Sequence, residues 1–210
     1  MTSVREKSAI AAKQIALREQ LWPNVDAWLW QRKANKGFTT IPKTFPLILQ
    51  IMDEMTKDTP VSRTYMALWC STWDNSFVNL SKPKELAHAS GFSGQRREST
   101  WISRMRLLAK LNFISIADGK SGPMSHAIIW NPHHVIRMHH AQKTPGLAAG
   151  SYNALVEWAL EIGAGDMTTP YAAPAAASAP AEPPPAAAAE PPSAAPATSA
   201  VDVGAKAVAS

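Results

Sequence analysis

Apolar residues recur three and four positions apart through most of the first 165 residues, a spacing that predicts a run of short helices interrupted by one hairpin. Leu47, Ile48, Ile51, Met52 and Met55 mark the inner side of one helix. Thr59 and Pro60 restart the chain as a second, since proline sits comfortably in a first turn, and Val61, Tyr65, Leu68, Trp69 and Trp73 follow at helical spacing. Phe77, Val78 and Leu80 suit a short strand that could pair with the hairpin. Ser81 as N-cap and Pro83 in the first turn open a helix over 82–90 that turns Leu86 and Ala87 inward. Gly91 supplies the positive φ of a sharp turn, Phe92 anchors it, and Ser93 caps the next helix. Over residues 93–110, Trp101, Ile102, Met105, Leu108 and Ala109 fall in one arc. Phe113, Ile114 and Ile116 then lead into a turn of Asp118, Gly119, Lys120, Ser121, Gly122 and Pro123. Ala127, Ile128, Ile129 and Trp130 form the return strand of the hairpin.

The flanks are patterned more loosely. Residues 3–21 place Ile10, Ile15 and Leu17 among charges, a weakly amphipathic helix ending near Pro23 that reads as an arm or oligomerisation helix. Asn24 caps a short helix through Asp26, Trp28, Leu29 and Trp30, closed by Gly37, whose aromatic face needs a partner surface. Asn131 and Pro132 open a helix bearing four histidines, and Leu155, Trp158, Ala159 and Ile162 space a last helix over 151–162. With the N-terminal helices it offers apolar surface outside the central domain, on which two protomers could pair as a homodimer or which simply completes the monomer core. From about residue 166 the chain is mostly Ala, Pro and Ser, which cannot bury enough apolar area to offset the entropy of ordering, so a disordered tail is expected. All eight Trp precede it. The expected architecture is mainly α with a small β hairpin (α+β). It comprises an N-terminal helical arm over 1–40, a central domain over 41–145, a C-terminal helix over 146–165 and the Ala/Pro-rich tail over 166–210.

Charge changes this picture by gathering on one part of it. Residues 81–143 contain ten Lys and Arg against three acids, a balance of +7 where the whole chain carries +5. Such a field draws polyanions. On the helix over 93–110, Arg96, Ser99, Thr100, Ser103, Arg106 and Lys110 lie opposite the apolar arc, and Arg97 and Arg104 flank it. That division lets one face be fixed by packing while the other meets base edges and phosphates. Gln95, Arg96, Ser99 and Thr100, near the N-terminal end, are the candidate base-reading residues, since Arg pairs well with guanine and Gln with adenine. Arg104, Arg106 and Lys110 are better placed for phosphate. Lys120 and Ser121, at the hairpin tip, are candidates for the sugar-phosphate backbone. An amphipathic helix with arginines on its wet face is also an ordinary surface helix, and any exposed hairpin tip is polar.

The pattern Leu86-Ala87, then Gly91-Phe92-Ser93, a basic amphipathic helix, Leu111-Asn112-Phe113-Ile114 and a glycine-rich hairpin resembles the winged helix-turn-helix superfamily of bacterial DNA-binding proteins. It spans residues 60–130, about a third of the chain. The resemblance implies that the helix over 93–110 reads the major groove and that the wing over 118–125 touches the backbone. The layout including GFSGQR and the Ala/Pro tail is similar to small accessory regulators carried by proteobacterial plasmids and other mobile elements. Replication initiators of the superfamily usually carry two winged domains, and this chain has room for one. The function expected is therefore sequence-specific binding of double-stranded DNA, in transcriptional regulation or plasmid replication and maintenance. An alternative from another class is a protein-interaction module in which the charge is incidental.

Other chemistry finds little support. Cys70 stands alone, so neither an intrachain disulfide nor a Cys-based zinc site is possible, and a reducing, cytoplasmic setting is expected. No run approaches the ~20 apolar residues of a membrane span, and no signal-peptide stretch is visible. His133, His134, His139 and His140 lack the i, i+4 spacing of metal ligands, although their protonation near pH 6 would strengthen a hold on DNA. There is no phosphate loop, GxSxG motif or paired carboxylate. The expectation is a non-enzyme without cofactor.

Overall fold

The computed structural model describes residues 4–120 and 122–170, with side chains from residue 9 onward. Among them, seven α-helices surround one small antiparallel sheet: α1 (Val4–Leu21), α2 (Phe45–Thr56), α3 (Ser62–Cys70), β1 (Phe77–Asn79), α4 (Pro83–Ala89), α5 (Arg97–Lys110), β2 (Ile114–Gly119), β3 (Gly122–Ile129), α6 (Pro132–Ala141) and α7 (Ala149–Glu161). The sheet order is β1-β3-β2. Val78 pairs with Ala127, Ile114 with Ile129 and Ile116 with Ala127. Ser125, Ala127 and Ile129 alternate inward along β3, as a half-buried strand requires. The expected short strand thus does pair with the hairpin.

One core joins the helices from α2 to α7 and the sheet, and α1 contributes nothing to it among the described residues. Phe45, Ile48, Ile51 and Met52 of α2 meet Val61, Tyr65 and Leu68 at α3, and Trp101, Met105 and Leu108 of α5 close over them. Phe45 stacks on Tyr65 with centroids 5.9 Å apart, and Phe113 meets Tyr65 edge-on at 6.1 Å. Burial holds the Tyr65 phenol protonated, with its pKa well above the ordinary value.

Several local expectations change. α3 begins at Ser62, two residues after Pro60, because its first turn is capped from another helix: the Asp53 carboxylate of α2 accepts from Val61 N, Ser62 N and Ser62 Oγ at 2.6–2.9 Å. α3 also stops at Cys70, so Trp73 lies beyond it and is 82% exposed instead of joining the stripe. Asn24 is no cap; it takes a positive φ of 62°, and only a 3₁₀ turn, Asp26–Trp28, follows. Asp26 instead receives Arg18 at 2.7 Å. Ser81 likewise does not cap α4, whose N-cap position is Lys82.

The C-terminal end changes more. α7 packs against α2 through the fully buried Leu155 and Ala159, and Ser151 Oγ donates to Glu54 Oε1 at 2.8 Å, so its inner side joins the monomer core while Leu160 stays exposed on the other. Gly146 (φ +94°) permits that contact, since a Cβ there would fall 3.0 Å from Met55 Cα. The folded unit also runs past the expected boundary at 166. Met167 is buried, and Arg137 Nη1 donates to the carbonyls of Asp166 and Thr169. The rest of the expected tail, residues 171–210, lies outside the described residues.

The histidines of α6 are chiefly structural. Asn131 caps the helix by accepting from His133 N. His133 is buried, with Nε2 2.8 Å from Thr44 Oγ1 and Nδ1 3.4 Å from Asp166 Oδ2. His139 Nε2 donates to Leu111 O, tying α6 to the end of α5, and His140 stacks on Tyr152 at 3.6 Å. Burial lowers the pKa of His133 below its ordinary 6.5; the neighbouring Asp166 opposes that shift and His134 adds to it. An imidazole depressed in the folded state is protonated more readily in the unfolded chain. Its contribution is therefore intact above about pH 6.5 and is lost as pH falls from there through the folded pKa. Thermal melts should show Tm falling over that window, and His133→Gln, which keeps a polar partner for Thr44, should flatten the fall. Equal slopes for the two proteins would refute this assignment.

Candidate nucleic-acid interface

The surface singled out by charge is built on α5. Its inner side is fixed by Trp101, Met105 and Leu108, all buried, with Ile102 and Ala109 half-buried beside them, so the apolar arc expected from spacing is the arc that packs. The helix rests on α3, α4 and β2. Its end is equally determined. Asn112 N donates to Ala109 O and Phe113 N to Leu108 O, with Asn112 at φ 59°, a left-handed closure that turns Phe113 into the core.

The start differs from expectation. Ser93 does not cap α5; the helix begins at Arg97, and seven residues, 90–96, link it to α4. The reason is a pair of left-handed glycines. Gly91 (φ +82°) closes α4, with Phe92 N bonded to Ala87 O and Gly91 N to His88 O, and Gly94 (φ +76°) then turns the chain again before a helix can start. Arg63 of α3 covers Gly91 so closely that a Cβ there would lie 2.9 Å from its Nη1. Gln95 and Arg96 consequently stand exposed on the lead-in to α5 and not on its first turn.

Facing outward, Ser99, Ser103, Arg106 and Lys110 are exposed and fall within an arc of about 60°, forming a stripe roughly 16 Å long. Thr100 and Arg97 are half-buried at its edges. Among the described residues no carboxylate pairs with Arg96, Arg97, Arg106, Lys110 or Lys120. Ser99 Oγ donates to Arg96 O at 2.9 Å, which steadies the lead-in. Glu98 is half-buried in the first turn, where an acid suits the helix dipole, and meets no cation among the described residues.

Arg104 is the candidate that the structure sets apart. Its Nε donates to Pro60 O at 2.9 Å and its guanidinium lies 5.9 Å from the centre of the Phe92 ring. It clamps α5 to the entry of α3 and to the linker, a role sequence spacing could not reveal because Pro60 is 44 positions away.

The hairpin is longer and tighter than its turn residues suggested. Gly119 pairs with Gly122, so Asp118 and Pro123, expected in the turn, belong to the strands. The Asp118 carboxylate accepts from Met124 N. Only glycine fits at 119, where a Cβ would lie 2.7 Å from His126 Nε2 and 2.8 Å from Ser125 Cβ. Lys120 is exposed at the tip; Ser121 lies outside the described residues. Chemically, the stripe, the lead-in and the tip offer cationic and hydroxyl donors on a rigid support, which suits a polyanion. Among the described residues no group of three or more His, Cys, Asp or Glu could hold a metal ion, and no helix is long and apolar enough to cross a membrane. Comparison with family models, curated proteins and solved structures finds no match to this chain.

Proposed function

We propose that the chain is a sequence-specific double-stranded DNA-binding protein with one winged helix-turn-helix domain. It serves as a transcriptional regulator or as an accessory factor of plasmid replication or maintenance in the bacterial cytoplasm. A single observation carries the reading: the outward stripe of α5 joins exposed hydroxyls to arginine and lysine without acidic partners among the described residues, on a helix whose other side is buried. The order α3, β1, α4, α5, β2, β3 supports it, as does the pairing of β1 with the hairpin.

In this reading α5 enters the major groove, which is about 12 Å wide and admits one helix. Arg96 and Gln95 lead into the groove, Ser99, Thr100 and Ser103 follow along the helix, Arg97 flanks it, and Arg106 and Lys110 meet phosphates. Lys120 reaches the backbone from the wing. Pairing of two copies would draw on the N-terminal arm, where Ile10, Ile15 and Leu17 are half-exposed, and on the outward side of α7, where Leu160 is exposed.

Titration of random-sequence duplex by fluorescence anisotropy at several salt concentrations is the direct test. The logarithm of affinity should fall linearly with that of salt, by about 0.9 for each phosphate neutralised. A slope near zero would overturn the reading and favour a winged module that binds another protein.

A further inference from the structure

A second surface uses a different chemistry. Between α1 and α2 the chain exposes Trp22 (60%), Trp28 (90%) and Trp30 (64%), with Phe38 at their side. Rings of that size seldom remain in water without a use. Between Trp30 and Phe38 lie Arg32, Lys33 and Lys36, and the segment's one acid, Asp26, is already held by Arg18 at 2.7 Å. Among the described residues the three cations meet no carboxylate.

The rings are arranged for contact. Trp30 meets Phe38 edge-on, with centroids 6.1 Å apart and planes at 79°, and the Arg32 guanidinium lies 5.0 Å from the centre of the Phe38 ring. Beyond Phe38, Thr40 O accepts from Trp69 Nε1 at 2.9 Å, pinning this end of the segment to α3. Trp73, also exposed, lines the same shallow pocket as Thr39 and Thr40.

Composition decides between occupants. The centre of a protein-protein interface favours aromatic rings and arginine but is depleted of lysine. Here three cations, Arg32, Lys33 and Lys36, follow directly on Trp28 and Trp30 and precede Phe38. Stacking platforms flanked by unneutralised cations are what a single nucleic-acid strand requires, since each unpaired base presents a π face and each linkage a phosphate. Trp28, open on nearly all its surface, has its faces available to a base, whereas a proline-rich peptide needs a walled groove.

We infer that residues 22–38 form a contact for single-stranded nucleic acid, in which Trp28 and Trp30 stack with unpaired bases and Arg32, Lys33 and Lys36 meet the phosphates. The contact is separate from the duplex surface on α5, and each stands or falls alone. A protein with both engages DNA where duplex adjoins an opened strand.

The test uses the full chain and a labelled oligo(dT) strand of about twenty nucleotides, longer than the ~4–16 that one single-strand site covers. Binding should quench tryptophan fluorescence and raise the label's anisotropy. Trp28→Ala and Trp30→Ala, at positions outside the core, should each weaken binding roughly 5- to 150-fold while duplex affinity stays unchanged. Lys33→Gln with Lys36→Gln should lower the single-strand salt slope by about 1.4. Unchanged oligo(dT) affinity in the doubly substituted Trp28→Ala, Trp30→Ala protein would overturn the inference. So would a parallel loss of duplex binding, which would make the rings part of one duplex surface. Failure of the intact chain to bind the strand, with self-association or binding to anionic vesicles that depends on these rings, would overturn it in favour of a protein or lipid partner.

Discussion

Replacing Trp101 with Ala is expected to destabilise the folded unit by about 3–5 kcal/mol, the cost of removing a large buried ring whose surroundings cannot fully collapse. Trp101 is fully buried at the junction of α5 with the core. A domain of this size is stable by about 5–15 kcal/mol, so a large share of the margin would go. Its indole Nε1 has no hydrogen-bond partner among the described residues, which makes Trp101→Phe informative. That change deletes an unsatisfied buried donor along with some packing, so it should cost much less than Trp101→Ala. Urea unfolding followed by circular dichroism would measure both. If Trp101→Ala lost under 1 kcal/mol, α5 would not be anchored as described, and the stripe it presents would lose its rigid support.

The second large effect concerns the stripe itself. Arg106→Ala with Lys110→Ala should reduce duplex affinity by roughly 60-fold at 0.1 M salt, about eight-fold per phosphate contact, and make the salt slope shallower by about 1.8. The loss should be the same for every duplex sequence, because phosphates carry no sequence information. Arg96→Ala should act differently, narrowing the gap between preferred and random duplex by about 1–3 kcal/mol. Anisotropy titrations with a selected and a random duplex separate the two patterns. If Arg96→Ala weakened both duplexes alike, base reading would have to be sought at Gln95, Ser99 or Thr100. Arg104→Ala belongs with Trp101, since its bond to Pro60 O makes stability its first readout.

What could be read from the chain followed the physics of burial. The arc of Trp101, Met105 and Leu108, the inner side of α2 and the pairing of Phe77 and Val78 with the hairpin were legible because apolar spacing repeats the geometry of the element that buries it. The start of α6 was legible too, in Asn131 and Pro132, but those of α3 and α5 were not. α3 takes its cap from Asp53, eight positions earlier on another helix, and α5 is delayed by Gly94, whose backbone angle no periodicity reports. Spacing alone extends the stripe to Trp73, which the end of α3 at Cys70 leaves outside the helix.

The candidate site divides in the same way. Residue types and spacing by themselves determined that Ser99, Ser103, Arg106 and Lys110 share a face, because a helix of known pitch admits no other arrangement. Only the tertiary structure decided that Arg104 is drawn to Pro60 and that α7 packs Leu155 and Ala159 into the core beside α2. Only it decided that the rings at Trp28 and Trp30 stay in solvent. The physical reason is range. Periodicity and local turn chemistry act over a few residues, whereas a side chain's final partner depends on surfaces brought together from distant parts of the chain.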